Sequence, residues 1–445
     1  MNFRALTIRL RRYFFYLSLS TIVFLTYILI QNYDYPKQKL LKKGTTTTET
    51  IIEFNKNSAT AEIEEYDRYK YRIRVIKEKI KRLSYTSDKL SIQHNDQLTN
   101  VSYKIHAFYY AWYKSIDFDG AWAHWNHKYL PNWNKNDLKK YPVGAHNPPE
   151  DIGSNFYPQL GCYSSNDPQI IRSHMKYFKV AGIGVLVLSW APPNFEDSPD
   201  NNLKQILDIA LENDIKVSLQ IEPYKNRNPE NFVKFWKNFI LKFGDHEALY
   251  KIKNKRFNIH LPLTYMYDSY LIESNDWKSI FSKSGLNTIR GTKYDGIFLG
   301  LLVDAQHKTH IKRSAFDGFY TYFASNGFSY GSSWKNWNSL NRFAKQNNLI
   351  FVPSVGPGYI DVRVRPWNSA NTKDRSHGRY YETAWRSAVK SGVSFISITS
   401  FNEWHEGTQI EPAVFTSGYT SYDPEESNYY LNLTRQFIKQ MPFIG

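Results

Sequence analysis

From residue 105 onward, short apolar runs bounded by turn-forming residues alternate with longer stretches of helical periodicity. This alternation is typical of βα units and predicts a parallel sheet. Eight runs are predicted strands, at residues 105–112, 184–190, 216–221, 259–266, 296–302, 318–323, 349–354 and 395–400. Helices are predicted between them, including residues 167–181, 203–213, 230–243, 332–347 and 382–390.

Eight strands with interleaved helices fit the size of a (β/α)8 barrel that carries loop insertions. A doubly wound open sheet is the second candidate fold, because it also alternates strands and helices. The barrel is favoured because polar and aromatic residues accumulate after the predicted strands, where a barrel builds its active site. We therefore predict an α/β protein with a TIM-type barrel as its catalytic domain, at residues 101–445.

The residues that follow the predicted strands are candidate substrate contacts. In the aromatic run FYYAWY at residues 108–113, alternate rings are also expected in the core, since strand side chains alternate between faces. Glu222, in the sequence IEPY, is a candidate carboxylate that could equally hydrogen-bond a neighbouring loop. The predicted substrate-binding set is Tyr110, Trp112, Tyr113, Trp190, Glu222, Tyr224, Tyr265, Asn402, Trp404 and His405.

Composition excludes several classes of protein. Aromatic residues make up 17% of the chain and hydrophobic residues 42%, which excludes an intrinsically disordered chain. The formal net charge is +16, but the basic excess is concentrated near the N-terminus and no nucleic-acid motif is present, so no nucleic-acid partner is predicted. The single cysteine, Cys162, excludes an internal disulfide and a cysteine-based zinc cluster.

Residues 13–30, YFFYLSLSTIVFLTYILI, carry no charge and are preceded by four arginines. This length is near the lower limit for a membrane-spanning helix. A cleaved signal peptide is the alternative, but the apolar run is long for one and no small-residue cleavage site follows it. Because Arg11 and Arg12 adjoin the segment, we predict a single-pass type II protein with a cytoplasmic tail at residues 1–12 and a luminal C-terminal part.

Residues 31–100 are predicted to form a stem. Its first part is rich in Thr, Lys and Asn, which is typical of a flexible linker. Further on, four apolar residues at helical spacing indicate a short amphipathic helix, either a coiled-coil stalk or a helix packed on the domain: Ile73, Ile76, Ile80 and Leu83. Two N-x-S/T sequons, at Asn100 and Asn432, would lie on the luminal side.

The densest polar segment is TSFNEWHEGTQIE, at residues 399–411, directly after an apolar run. Glu403 and Glu406 cannot share one face of an extended strand, so they converge only if the chain turns after Glu403, which Gly407 permits. Two carboxylates beside aromatic rings are typical of glycoside hydrolysis. An isolated pair of this kind would more often cap a helix or form salt bridges, but at a barrel strand end we predict that both are catalytic.

A metal site is not predicted. His405 and Glu406 do not form an HExxH motif, and no second histidine stands at ligand spacing. His307 and His310 are three residues apart and would need a carboxylate as a further ligand. We therefore predict no metal and no cofactor.

These segments together resemble the glycoprotein endo-α-1,2-mannosidases, glycoside hydrolase family 99. The matching segments, in family order, are FYYAWY (108–113), FYPQLGCYSSNDP (156–168), GVLVLSWAPP (184–193), IEPY (221–224), YDGIFLGLL (294–302), VPSVGPGY (352–359) and SFNEWHEGTQIEPA (400–413). The stem matches no family motif, and Cys162 stands where a small hydroxyl residue is expected.

The resemblance implies a (β/α)8 barrel and, for animal members, a type II Golgi membrane protein. It also implies an endo-acting retaining glycosidase that cleaves the α-1,2 bond beneath a glucosylated mannose of high-mannose N-glycans on glycoproteins, releasing Glc-α-1,3-Man and its longer glucosylated forms. The two family carboxylates correspond to Glu403 and Glu406. The resemblance implies that Glu403 deprotonates the mannose 2-hydroxyl, giving a 1,2-anhydro sugar, while Glu406 is general acid and then general base.

Two other functions share part of this pattern. A luminal lectin or cargo receptor would use the barrel only to bind glycans and would be expected to lack one of the two acids, whereas both are present. A type II Golgi glycosyltransferase would share the anchor and stem but would need a metal-binding Asp-x-Asp, which does not occur in the chain.

Overall fold

The computed structural model describes residues 100–132, 140–195, 197–254 and 259–440. The predicted membrane segment at residues 13–30 and nearly all of the predicted stem lie outside the described residues. Within the described residues, no helix is both long enough and apolar enough to cross a bilayer.

The barrel consists of eight parallel strands in chain order. They are β1 (Ser102–Tyr109), β2 (Ile183–Trp190), β3 (Lys216–Ile221), β4 (Ile259–Met266), β5 (Ile297–Leu301), β6 (Gly318–Tyr320), β7 and β8 (Ile396–Ile398). β7 is made of two segments, Ile350–Val352 and Ser354–Val355, which are separated by Pro353. Each overlaps a strand expected from its apolar run, because strands buried on both faces are apolar almost throughout.

The sheet closes on itself. β1 pairs in parallel with β2 and also with β8, where Ile105 is opposite Ile396. The first segment of β7 pairs with β6, and the second pairs with β8. Since proline has no N–H for a ladder bond, Pro353 separates the two registers of this strand. The closed ring confirms the predicted barrel and excludes the doubly wound open sheet.

One long helix follows each strand, and the loop after β1 also contains a one-turn helix, Ile116–Asp119. The helices are α1 (Pro168–Ala181), α2 (Asp200–Glu212), α3 (Pro229–Phe243), α4 (Ser274–Phe281), α5 (His307–Arg313), α6 (Trp337–Gln346), α7 (Arg379–Lys390) and α8 (Tyr429–Gln440). α1 shows how the sequence defines them. Asp167 caps its N-terminus by accepting the N–H of Gln169, Pro168 occupies its first turn, and Gly182 ends it in the left-handed conformation.

Strand alternation divides the side chains between the barrel interior and the helix layer. Phe108 of β1 contacts Tyr265 of β4 and Tyr320 of β6, which is possible only across the interior. Tyr109, the next residue, contacts His174 and therefore faces α1. Aromatic rings therefore fill the barrel interior beneath the loops at the C-terminal ends of the strands.

Two long loops cover the C-terminal end of the barrel, one after β1 and one after β8. They are joined by a two-stranded antiparallel sheet, Tyr157–Pro158 with Ala413–Val414. Another short strand, Lys251–Asn254, pairs antiparallel with the N-terminal half of β4, where Lys251 is opposite Pro262 and Asn254 is opposite Ile259. The predicted first strand, 105–112, ends earlier at Tyr109, so Trp112 and Tyr113 belong to the loop that follows β1.

Candidate active site

The loop after β8 turns tightly between the two candidate catalytic residues. The N–H of Glu403 donates to Ser400 Oγ at 2.7 Å, and the N–H of Gly407 donates to the carbonyl of Trp404 at 3.2 Å. Gly407 has a φ of +59°, and a Cβ on it would lie 2.6 Å from the carbonyl oxygen of Ile360. The turn expected from the position of this glycine is therefore present.

Glu403 is a buried carboxyl, only 4% exposed. Its Oε1 accepts the backbone N–H of His405 at 3.2 Å. Burial, together with the neighbouring charge of Glu406, holds the pKa of Glu403 well above its usual range. A carboxylate in such surroundings binds a proton more tightly than an exposed one does.

Glu406 is more open to solvent than Glu403. Burial raises the pKa of Glu406 to about 7, while the positive charge of Arg365 opposes that rise. A carboxyl with this pKa holds its proton close to neutral pH, which is the property required of a general acid.

Arg365 and Asp361 are site residues that the sequence analysis missed. Arg365 Nη1 donates to Asp361 Oδ2 at 3.0 Å, and the charge of Arg365 offsets part of the rise in the pKa of both Glu403 and Glu406. Asp361 is fully buried and also accepts hydrogen bonds from Tyr359 and Asn368. The signal available in the sequence was the run of charged residues shortly after β7, at the same end of the barrel as Glu403.

Asn402 and Tyr113 hold the start of the catalytic loop against the loop after β1. The side-chain amide of Asn402 accepts the backbone N–H of Tyr110 and donates to its carbonyl, both at 2.8 Å. The Tyr113 hydroxyl donates to the carbonyl of Asn402 at 3.0 Å and accepts the N–H of Trp404 at 3.1 Å. These two predicted residues therefore lie at the site, where their observed contacts are with the protein backbone.

Trp404 is anchored by a buried acid, Glu411. Glu411 Oε2 accepts the indole N–H of Trp404 at 3.0 Å and the hydroxyl of Tyr163 at 2.8 Å. Its Oε1 is 3.1 Å from His174 Nε2, and the other ring nitrogen of His174 is 2.8 Å from the Tyr109 hydroxyl. Because Trp404 lies directly between Glu403 and His405 in the chain, this network fixes the backbone next to Glu403.

His405 is held in a stack of rings. Its plane is nearly parallel to those of Trp112 and His124, at centroid distances of 6.1 Å and 5.5 Å. Nε2 of His405 is 2.9 Å from the carbonyl of His124, and since a carbonyl only accepts, this nitrogen carries the proton. Burial lowers the pKa of His405 well below its usual range, so the ring is neutral.

Glu222 is the third acid at this end of the barrel. Its Oε1 accepts hydrogen bonds from Ser189 Oγ at 2.7 Å and from Gln220 Nε2 at 3.0 Å. Burial raises the pKa of Glu222, and its charge in turn contributes to the raised pKa of Glu403. Tyr110 lies close to the same acids and its hydroxyl makes a short hydrogen bond with that of Tyr322.

Three predicted substrate contacts have side chains that pack against other parts of the barrel and not against Glu403 or Glu406 among the described residues. Trp190 faces the helices, with its indole 5.9 Å from the ring of Phe239. Tyr224 bonds Asn231 of α3 and packs on Phe195. Tyr265 is completely buried in the barrel interior, where its hydroxyl is 2.6 Å from His106 Nδ1. Their predicted contacts with substrate stay predictions that none of these interactions supports.

Tyr267, two residues beyond Tyr265 on the same face of the chain, is nearer the acids. Its ring lies 5.0 Å from that of Tyr322. Burial, with the charges of Glu406, Asp268 and Glu222, raises the pKa of its hydroxyl. Sequence reasoning selected the tyrosine within the predicted strand, whereas the tyrosine after the strand end lies at the site.

No metal site is formed by the described residues. Within them, no group of three His, Cys, Asp or Glu side chains is arranged to hold an ion. His307 instead accepts the backbone N–H of Val303 at 3.2 Å and stacks on Tyr270. His310 Nε2 is 2.8 Å from the carbonyl of Ile272.

A (β/α)8 barrel with two interacting carboxyls after the C-terminal end of its last strand, surrounded by aromatic rings, is the arrangement typical of glycoside hydrolases. Comparisons with known proteins give the same class. The model of glycosyl hydrolase family 99 matches residues 100–442. The chain therefore belongs to glycosyl hydrolase family 99.

Individual relatives cover most of the chain. It is 49% identical over 353 residues to the glycoprotein endo-alpha-1,2-mannosidase of Rattus norvegicus, covering 78% of this chain and 76% of the relative. It is 48% identical over 348 residues to a Homo sapiens glycoprotein endo-alpha-1,2-mannosidase-like protein, covering 76% of each. The GH99 endo-alpha-mannosidase of Bacteroides thetaiotaomicron superposes with a TM-score of 0.72 and 41% identity, over 77% of this chain and 98% of that one.

Proposed function

We propose that the protein is an endo-acting, retaining α-1,2-mannosidase of glucosylated high-mannose N-glycans, releasing Glc-α-1,3-Man and its longer glucosylated forms. The observation that carries the proposal is the pair Glu403 and Glu406, held on one tight turn at the mouth of the barrel with both pKa values raised. Membership of family 99 and the activity for which its relatives are named support the bond and the substrate class.

The two acids have different surroundings, which supports different roles in the proposed mechanism. Glu403, which is more buried and binds protons tightly, takes the proton of the mannose 2-hydroxyl when it is in its ionised form. The freed oxygen attacks C1 of the same sugar and closes a 1,2-anhydro ring as the glycosidic bond breaks. Glu406 gives its proton to the departing glycosidic oxygen and then removes a proton from the water that attacks C1, while Glu403 returns its proton to the 2-oxygen as the anhydro ring opens. This scheme is one of the substrate-assisted exceptions to a covalent enzyme intermediate.

Incubation of the protein with monoglucosylated and triglucosylated high-mannose glycans, followed by identification of the released sugars, tests the activity directly. We expect Glc-α-1,3-Man from the first glycan and the corresponding triglucosylated tetrasaccharide from the second. Release of free glucose would show an exo-acting enzyme. Glycan binding without cleavage would identify a lectin on a barrel scaffold.

The proposed roles predict how activity depends on pH. Glu406 must be protonated to assist departure, and with a pKa of about 7 it loses its proton as pH rises through that value. We therefore expect glycan turnover to decline above about pH 7, while an activated aryl glycoside, which needs little protonation, declines less. The measurement is kcat/KM against pH on both substrates, and an identical decline on both would contradict the role given to Glu406.

We also propose that the enzyme is a single-pass type II protein of the Golgi membrane, with residues 1–12 cytoplasmic, 13–30 as anchor, 31–100 as stem and the catalytic domain luminal. The uncharged run at residues 13–30 and the adjoining arginines support this proposal. Asn100 and Asn432 are both exposed and so accessible to a glycan on that side.

Membrane fractionation tests the anchor. We expect the full-length protein to stay in membranes through alkaline carbonate washing, and protease added to sealed vesicles to spare the catalytic domain. A chain beginning near Asn100 should be active in solution, because the described barrel takes no strand from the stem. Full-length protein in the soluble lumen would indicate a cleaved signal peptide, and digestion of the catalytic domain would indicate the reverse orientation.

A further inference from the structure

We propose that Arg375 is a positioning residue for the general acid, because it holds the backbone turn that carries Glu406. This inference rests on the proposed function. Arg375 lies in the loop between β7 and α7, and no property of the sequence around it marked it as part of the site.

Arg375 hydrogen-bonds the backbone of the catalytic loop immediately after Glu406. Its Nη2 donates to the carbonyl of Gly407 at 2.9 Å and to the carbonyl of Gln409 at 2.8 Å. From the other side, the N–H of Ile360 donates to the carbonyl of Glu406 itself at 2.8 Å. The backbone that carries the general acid is therefore fixed on both sides by groups that lie outside its own loop.

Three aromatic rings fix the guanidinium of Arg375 in turn. Its centre lies 4.6 Å from the ring of Phe156, 4.9 Å from that of Tyr422 and 4.6 Å from that of Tyr430. These rings belong to the loop after β1, the loop after β8 and helix α8. A cation over several ring faces is held by electrostatic attraction as well as by packing. The position of Arg375 is thus set by three separate parts of the barrel.

No salt bridge competes for the charge of Arg375 among the described residues. The neighbouring acid, Asp374, accepts the N–H of Ser376 at 2.7 Å and its hydroxyl at 2.8 Å instead. Nη2 of Arg375 is directed toward the two loop carbonyls, whereas Nε and Nη1 lie buried against the rings without a hydrogen-bond partner among the described residues. A planar fork with several donors can bond two carbonyls and stack on rings at once, which a lysine ammonium cannot do in the same way.

A cavity of about 160 Å³ adjoins Arg375 and opens to solvent. Phe156, Tyr422 and Tyr430 are among its lining residues. If the arginine side chain is truncated, the space between the rings and the loop carbonyls becomes continuous with this cavity. A guanidinium ion from solution then has a route to the vacated position.

The test is Arg375→Ala, assayed on the glucosylated glycan and on an activated aryl glycoside. We expect kcat on the glycan to fall about 10²-fold with KM nearly unchanged, because a small displacement of a catalytic group costs this much. The aryl glycoside should lose much less, since it hardly needs the acid. Added guanidinium should restore glycan turnover in this variant, whereas urea, which is planar but uncharged, should restore little.

Arg363→Ala is the matched control. Arg363 also stacks on a tyrosine, 4.6 Å from the ring of Tyr419, and donates to a backbone carbonyl, that of Ile152, at 2.9 Å. Its side chain contacts the loop after β1 and Tyr419 near the end of the loop after β8, and among the described residues its hydrogen bonds do not reach the turn at residues 403–409. We expect the ratio of glycan to aryl turnover in this variant to equal that of the wild type.

An equal loss on both substrates without rescue by guanidinium would overturn the proposal, as would full activity on the glycan. If the alanine variant does not fold, the ratio of glycan turnover to aryl glycoside turnover is measured in Arg375→Lys instead. A ratio equal to that of the wild type in this variant overturns the proposal. A wild-type protein that releases no Glc-α-1,3-Man would contradict the proposed function instead, so the two failures are distinguishable.

Discussion

Glu406→Gln and Glu403→Gln are expected to reduce turnover of the natural glycan by about 10²- to 10⁴-fold each, the usual contribution of a general acid or base. The two variants should differ on an activated aryl glycoside. Such a leaving group departs almost without protonation, so it should rescue Glu406→Gln far more than Glu403→Gln, which lacks the base for the 2-hydroxyl.

The measurement is kcat for both variants on both substrates, with circular dichroism to show that the barrel is folded. Glutamine keeps the size of each side chain. Of the backbone contacts that hold the turn, the bond from the His405 N–H to Glu403 is the one that involves a carboxyl of the pair. Equal rescue of the two variants would show that the roles are assigned wrongly.

Glu411→Ala is expected to lower the free energy of unfolding by about 3–5 kcal/mol, because each buried hydrogen-bond donor left without an acceptor costs about 1–3 kcal/mol. Glu411 is completely buried, and its loss leaves His174, Tyr163 and Trp404 without the acceptor they share. Activity should fall as well, because the indole of Trp404 anchors the backbone between Glu403 and His405.

Urea unfolding of Glu411→Ala and Glu411→Gln measures this effect. Glutamine retains an acceptor oxygen and the volume of the side chain, so the Glu411→Gln protein should have a clearly larger free energy of unfolding than the Glu411→Ala protein. Loss of less than about 1 kcal/mol in the alanine variant, the value of a typical exposed ion pair, would show that the network contributes little.

The barrel was predictable because its strands are buried on both faces. Such strands are continuous apolar runs, and all eight were located from that property, although their ends were less certain. The first was placed three residues too far along, since the aromatic residues after Tyr109 are as apolar as those within β1. The helices followed from ordinary periodicity and capping, as Asp167 and Gly182 show for α1.

The site was predictable where one segment carried it. Glu403, Glu406 and the turn at Gly407 lie within a few residues of one another, so local reasoning was sufficient. The direction in which a side chain points was harder to predict at the strand ends. Ser189 bonds Glu222 and faces the site, so its neighbour Trp190 must face the helices, but the sequence does not state which member of an alternating pair points inward.

Residues that act through tertiary contacts left no local signal. Arg375 meets its loop carbonyls and rings only after segments more than 200 residues apart have come together. Asp361 and Arg365 were visible as charged residues after a strand, but nothing in the sequence indicated that Arg365 would influence both carboxyls. Two of the three partners of Glu411, Tyr163 and His174, come from the loop after β1 and from α1, far from the acid in the chain.

The seam of the barrel, where β1 meets β8, has a consequence for the order of events during synthesis. The catalytic loop bonds directly to the first strand and its loop, through Phe401 N–H to the carbonyl of Phe108 and through Asn402 to Tyr110. Contacts of such sequence separation form late, because closing so long a loop is entropically costly. A growing chain that has completed the first seven strands therefore still lacks both acids and the seam that orients them, so this enzyme acquires its chemistry only after its eighth strand and the following loop have been made.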